Sequence, residues 1–89
     1  LKAEQVIRET ANLCRDFGAK EVILYGSRAK ETARERSDID IAVTGVKDFD
    51  ALVEEVENLP TLYSVDMVNM DTCKNQLLLE DIRQYGRKI

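Results

Sequence analysis

The chain has no histidine, a single proline and only two cysteines, and none of its apolar runs is long. Each shortage excludes a class of chemistry. Without histidine there is no serine–histidine or cysteine–histidine nucleophile. A structural zinc site takes about four cysteine or histidine ligands, more than this chain supplies. The two cysteines, Cys14 and Cys73, are far apart and sit in no paired motif; both are expected as small buried hydrophobes in a reducing compartment. Crossing a bilayer takes ~20 consecutive apolar residues, so no membrane partner is expected. No signal-peptide pattern opens the sequence, which starts at Leu1, and the expected location is the cytoplasm. The formal net charge of −4 argues against a large nucleic-acid footprint, which needs a basic face.

What is present is a globular composition, 44% apolar and 34% charged in 89 residues, with no repeat, linker or low-complexity stretch. One domain over residues 1–89 is expected. A core of this size buries roughly 60–65% of the surface of the unfolded chain, so a partner is expected to add stability. Val6, Thr10, Leu13, Cys14 and Phe17 recur at helical spacing over residues 2–17, and Gly18 is a natural stop. The nearly continuous apolar run 21–25 predicts a buried strand, broken by Gly26 and Ser27. A short helix is expected over 28–34. Residues 38–43 alternate acidic and aliphatic side chains, a second strand. Asp48 is the expected N-cap of a helix whose stripe is Phe49, Leu52, Val53, Val56 and Leu59, stopped by Pro60. Residues 62–70 read as a third strand and 72–85 as a last helix, with Leu78, Ile82 and Tyr85 on one face. The tail 87–89 is a candidate terminal strand. Short alternating segments of this kind predict a compact α/β (α+β) fold, a small mixed β-sheet flanked by helices.

Three features carry chemistry: Gly26-Ser27 at a strand end, Asp38-Ile39-Asp40 on the next strand, and Asp66 in the third. Side chains at i and i+2 of a strand share a face, with Cα atoms roughly 6.5 Å apart. Asp38 and Asp40 therefore stand side by side, while Ile39, Ile41 and Val43 point to the core. Such a pair suits two hard cations ~3.5–4 Å apart. Asp66, among Val65, Met67 and Val68, is expected to be buried, where an unpaired carboxylate is costly. Three clustered carboxylates raise one another's pKa, and a divalent cation relieves the strain. Gly26 lets the backbone approach a ligand, Ser27 opens the short helix as a phosphate site, and Arg28 and Lys30 are placed to meet phosphate oxygens. Taken singly, each feature is more often a solvated edge, a turn or a cap; the combination in this order is what points to a site.

The run Gly26-Ser27-Arg28-Ala29, followed by Ser37-Asp38-Ile39-Asp40-Ile41 with ten residues between Ser27 and Asp38, resembles the signature of the polymerase-beta-like nucleotidyltransferase superfamily. Asp66, in Tyr63-Ser64-Val65-Asp66-Met67-Val68, resembles its third carboxylate. The size and the ending Ile82-Arg83-Gln84-Tyr85-Gly86 are similar to the minimal branch, which carries only the catalytic core. Glu31 departs from the pattern, standing where the family often has glycine; it is expected to be solvated on the short helix.

The resemblance implies a magnesium-dependent transferase. Asp38 and Asp40 would hold two magnesium ions, and Asp66 would ligate one and help deprotonate the acceptor. Gly26 and Ser27, with Arg28, would hold the triphosphate of ATP. The implied reaction is attack of an acceptor hydroxyl on the α-phosphorus with release of pyrophosphate. Many members of the minimal branch are antitoxins paired with a separate HEPN-domain protein encoded nearby. The implied acceptor is a tyrosine of that partner, modified with AMP. One rival is a silent antitoxin that acts by binding alone, which the retention of all three aspartates and Gly26-Ser27 disfavours. Another is a small-molecule transferase, which usually needs a further domain for its acceptor. An oligomer is expected, a homodimer or a HEPN complex, using Leu77 and Leu79 off the stripe of the last helix.

Overall fold

The computed structural model describes residues 2–29 and 38–89, with the backbone but not the side chain of Ser27. Helix α1, Ala3–Asp16, begins where the Gln5 side chain accepts the Lys2 backbone N–H at 2.9 Å. It buries Val6, Thr10, Ala11 and Cys14 along one stripe. The chain then enters β1, Glu21–Tyr25, and a single 3₁₀ turn, Gly26–Arg28. Most of the short helix expected over 28–34 lies outside the described residues.

Strand β2, Ile39–Thr44, lies antiparallel to β1, with Tyr25 opposite Asp40 and Leu24 opposite Ile41. Helix α2, Phe49–Glu57, is capped as expected: Asp48 Oδ1 accepts the Ala51 N–H at 3.1 Å. The third strand is shorter than its expected span. Thr61 Oγ1 takes the Tyr63 N–H at 3.0 Å, which holds the chain in a turn with Leu62 fully exposed. Strand β3, Val65–Asn69, starts only after it and runs parallel to β2, with Asp40 beside Asp66. The last helix also starts late. Asn69 accepts from the backbone of Asp71 through its side chain and from Cys73 through its carbonyl, winding 69–73 into a turn. Asn75 then caps α3, Gln76–Tyr85, by accepting the Leu78 N–H at 3.2 Å. The terminal strand β4, Arg87–Lys88, pairs antiparallel with β1.

The sheet order is β3-β2-β1-β4, a small mixed sheet with helices on both sides. One face carries Val22, Leu24, Ile39, Ile41 and Val43 against Val6, Cys14, Leu52 and Val56 of α1 and α2. The other carries Ile23, Tyr25 and Ala42 against Ile82 of α3. Cys14 is buried as expected, its thiol pushed up to about 11 by burial, whereas Cys73 is only half-buried. Among the described residues no helix is long and apolar enough to cross a membrane. Glu21 fixes α3 and β4 to β1: Arg83 donates to both its oxygens, at 2.9 and 3.3 Å, and Lys88 Nζ lies 3.4 Å away.

Candidate functional site

The register of three strands builds the site. Asp40 pairs with Tyr25 across the antiparallel junction and with Asp66 across the parallel one. Residues directly opposite one another share a sheet face, so Asp66, Asp40 and Tyr25 form one row over β3, β2 and β1. The row lies on the face that α3 covers, at the end where β1 leaves the sheet and β2 and β3 enter it. Ile39 and Ile41 are fully buried on the opposite face, as the alternation predicts. Asp38 is exposed at the head of β2.

Gly26 closes the site from β1. Its φ is +75°, a region unfavourable to side chains. A Cβ there would collide with Asp40 Oδ2. Glycine is needed because the turn folds its backbone directly against the carboxylate. The sequence suggested close approach to a ligand at Gly26; the structure adds that the nearest group is Asp40.

The electrostatics follow from this crowding. Burial pushes the Asp40 carboxyl above the usual range, and the charges of Asp66 and Asp38 push it further. Burial likewise holds the Tyr25 phenol up to about 12, reinforced by Asp40 and Asp66. Tyr25 therefore stays neutral beside the carboxylates. Asp66 corrects an expectation: it is exposed, not buried. β3 is an edge strand: Val65 and Met67 serve the first face and Val68 packs with the Ile82 cluster on the second, while Asp66, near the start of the strand, meets solvent.

Hard oxygen donors held together against their mutual repulsion fit a divalent cation. Among the described residues, no three carboxylates or thiols converge into a ready-made cage. Asp40 and Asp66 share a site, and Asp38 contributes its charge from the strand head. Arg28, expected at phosphate oxygens, places its guanidinium 5.2 Å from the centroid of the Tyr63 ring. The side chain of Ser27, with Lys30, Glu31 and Ser37, lies outside what the structure describes. Sequence reasoning missed Tyr25 and Tyr63. Tyr25 was detectable as the residue before Gly26; Tyr63 needs the tertiary contact.

Comparison with known proteins follows the same geometry. The family model for polymerase beta nucleotidyltransferases matches residues 8–89. No curated protein matches the sequence. Among solved structures, a crystal structure of a toxin–antitoxin with AMP-PNP is similar with a TM-score of 0.67 and 22% identity, over 92% of this chain and 70% of that one. A mutant MntA-HpeT toxin–antitoxin is similar with a TM-score of 0.66 and 20% identity, over the same 92% and 70%. At such identities the likeness is one of fold.

Proposed function

The chain belongs to the polymerase beta nucleotidyltransferase family, and from that premise we propose that it transfers AMP from ATP to a tyrosine hydroxyl of a HEPN-domain partner, as the antitoxin of a toxin–antitoxin pair. The observation that carries the transfer reading is the row of Asp40 and Asp66 across parallel strands, with Gly26 folded against Asp40. The carboxylates of Asp38, Asp40 and Asp66 are the groups that would hold two magnesium ions. Magnesium bound there supplies a lowered hydroxyl pKa and charge neutralisation at the departing pyrophosphate.

The chain's own residues do the rest. The backbone at Gly26 and Ser27 is the part that would meet the triphosphate, and the glycine lets it lie directly against Asp40. Asp66, exposed on the edge strand, is the carboxylate an incoming acceptor would reach, and on this reading it takes the hydroxyl proton. Asp40, half-buried and crowded, holds its position between the other two. The partner reading is supported by the fold shared with two structures described as toxin–antitoxins, one of them with AMP-PNP.

The test is transfer of α-phosphate label from ATP, with magnesium, to the product of the neighbouring gene. Label on a tyrosine of that protein, lost with Asp38→Asn, is the expected result. Neutralisation of the partner by Asp38→Asn at wild-type strength, without label, would instead establish action by binding alone.

A further inference from the structure

The sheet ends on two unlike edges. β4 is two residues long and both are basic, and short, charged edges resist pairing with a further strand. β3 runs for five residues, Val65–Asn69, without a lysine, arginine or proline, and among the described residues only β2 lies beside it in the sheet. Two bonds to β2 set the phase of its ladder. The Ser64 carbonyl accepts the Ile39 N–H, and the Met70 N–H donates to the Val43 carbonyl, each at 2.9 Å. Between them, the parallel register turns the N–H and C=O of Asp66 and Val68 towards β2. The N–H and C=O of Val65 and Met67 therefore face away from the sheet, as does the N–H of Asn69. Such a row of donors and acceptors at strand spacing is complementary to one more extended backbone.

This edge is also where the acidic row ends. Tyr25, Asp40 and Asp66 occupy successive strands at one register, and Asp66 is the exposed member. A strand laid antiparallel outside β3 bonds to Val65 and Met67 and leaves Asp66 in a non-hydrogen-bonded pair, the kind that brings side chains closer, with Cα atoms about 4.5 Å apart. Aromatic side chains on the diagonal positions reach as far. We propose that the outer edge of β3 receives an extended segment of the acceptor protein, which pairs with Val65 and Met67 and brings its hydroxyl side chain beside Asp66. This assignment rests on the nucleotidyl-transfer reading and adds to it how the acceptor is presented: its backbone extends the sheet and its hydroxyl continues the row.

Amide hydrogen exchange of the wild-type chain, alone and with the product of the neighbouring gene, tests it. The Val65 and Met67 amides are expected to exchange readily in the free chain and at least about ten-fold more slowly in the complex, the scale of one hydrogen bond gained. Met67→Pro removes an outward donor and spares the ladder to β2, a placement that proline tolerates on an edge strand. It is expected to cut label transfer to that product by about ten-fold or more, as when a hydrogen bond is lost and its partner left unsatisfied. Affinity for ATP with magnesium should stay within about two-fold, the latitude of a surface change. Val65→Pro, at the first residue of the strand, decides the matter should Met67→Pro fail to fold. Label transfer with the Val65 and Met67 amides left unprotected, or undiminished in the proline variants, would overturn the assignment and leave the transfer reading standing. A wild type that neither binds nor labels that product overturns both.

Discussion

The two faces of the sheet solve opposite problems with alternate residues of the same strand. On one face of β2, Ile39, Ile41 and Val43 are fully buried against α1 and α2. On the other, Asp40 stands beside Asp66 and is pushed towards its neutral form by burial and like charge. The first face spends nothing on function and supplies stability by removing apolar surface from water. The second holds groups that disfavour the folded state unless something neutralises them. A strand so divided localises the cost of a site to one pleat, one residue away from the core that offsets it.

Neighbouring substitutions on β2 should therefore act with opposite sign. Asp40→Asn is expected to drop nucleotide transfer by more than the ~10–100-fold typical of losing a group behind a metal ligand, yet to raise the melting temperature of the metal-free protein. The sign follows from linkage. A carboxyl whose pKa is raised on folding disfavours the folded state increasingly as pH climbs through the window from its ordinary to its raised value. The gain in Asp40→Asn should accordingly fade in acid. Ile41→Ala should do the reverse, losing about 2–5 kcal/mol of stability by leaving a cavity, with the site chemistry unchanged where the protein remains folded. Thermal melts across pH, paired with the transfer assay, check both. A destabilised Asp40→Asn would show that its carboxylate is a structural partner rather than a tolerated burden.

How far the sequence could be read depends on which face a residue serves. The stripes of α1 and α2, the Asp48 cap and the inward set of Ile39, Ile41 and Val43 were legible because helical and strand periods encode burial directly. The turn at 61–64 and the Asn75 cap were not, since side-chain bonds from Thr61 and Asn69 overrode the apolar pattern. Asp66 misled because its neighbours are aliphatic, whereas its own exposure depends on β3 being an edge strand. The signature Gly26-Ser27 with Asp38 and Asp40 pointed to the candidate site and to the family. That Tyr25 completes the row, and that Gly26 abuts Asp40, follow from register, which no single stretch of sequence states.

Glu21 supplies a smaller contrast, a carboxylate on the α3 face stabilised rather than burdened. Its hydrogen bonds to Arg83, more than the nearby Lys88, lower its pKa. A group lowered on folding contributes stability above its ordinary pKa and loses it as pH falls through the folded value. Glu21→Gln is therefore expected to cost little, as the loss of a solvent-screened pair does. That cost should be present near neutrality and vanish in acid, the opposite pH trend to Asp40→Asn. Melts of the two variants over the same pH series would show the curves diverging. Parallel curves would mean that Glu21 and Asp40 do not differ as the two environments require.

The least effect on the fold is expected on the outer side of α3. Ile82 turns inward and is buried, whereas Leu77 is 78% exposed and Tyr85 50%. Leu79 is half-buried, so of the two leucines off the stripe Leu77 is the one the fold leaves to solvent. An isolated exposed leucine needs no explanation, but this one lies on the helix covering the acidic face, which a partner would have to approach under the proposed function. Leu77→Asp should change the stability of the chain by no more than about 0.5 kcal/mol. It should weaken assembly, whether with a second copy or with the product of the neighbouring gene, because a charge in an apolar contact loses its hydration without gaining a partner. Light scattering of the wild type and the variant, each alone and with that product, reads the result. A wild type that stays monomeric at high concentration and ignores the neighbour would remove the partner role from α3. The row of Asp66, Asp40 and Tyr25 would then serve an acceptor that arrives without docking there.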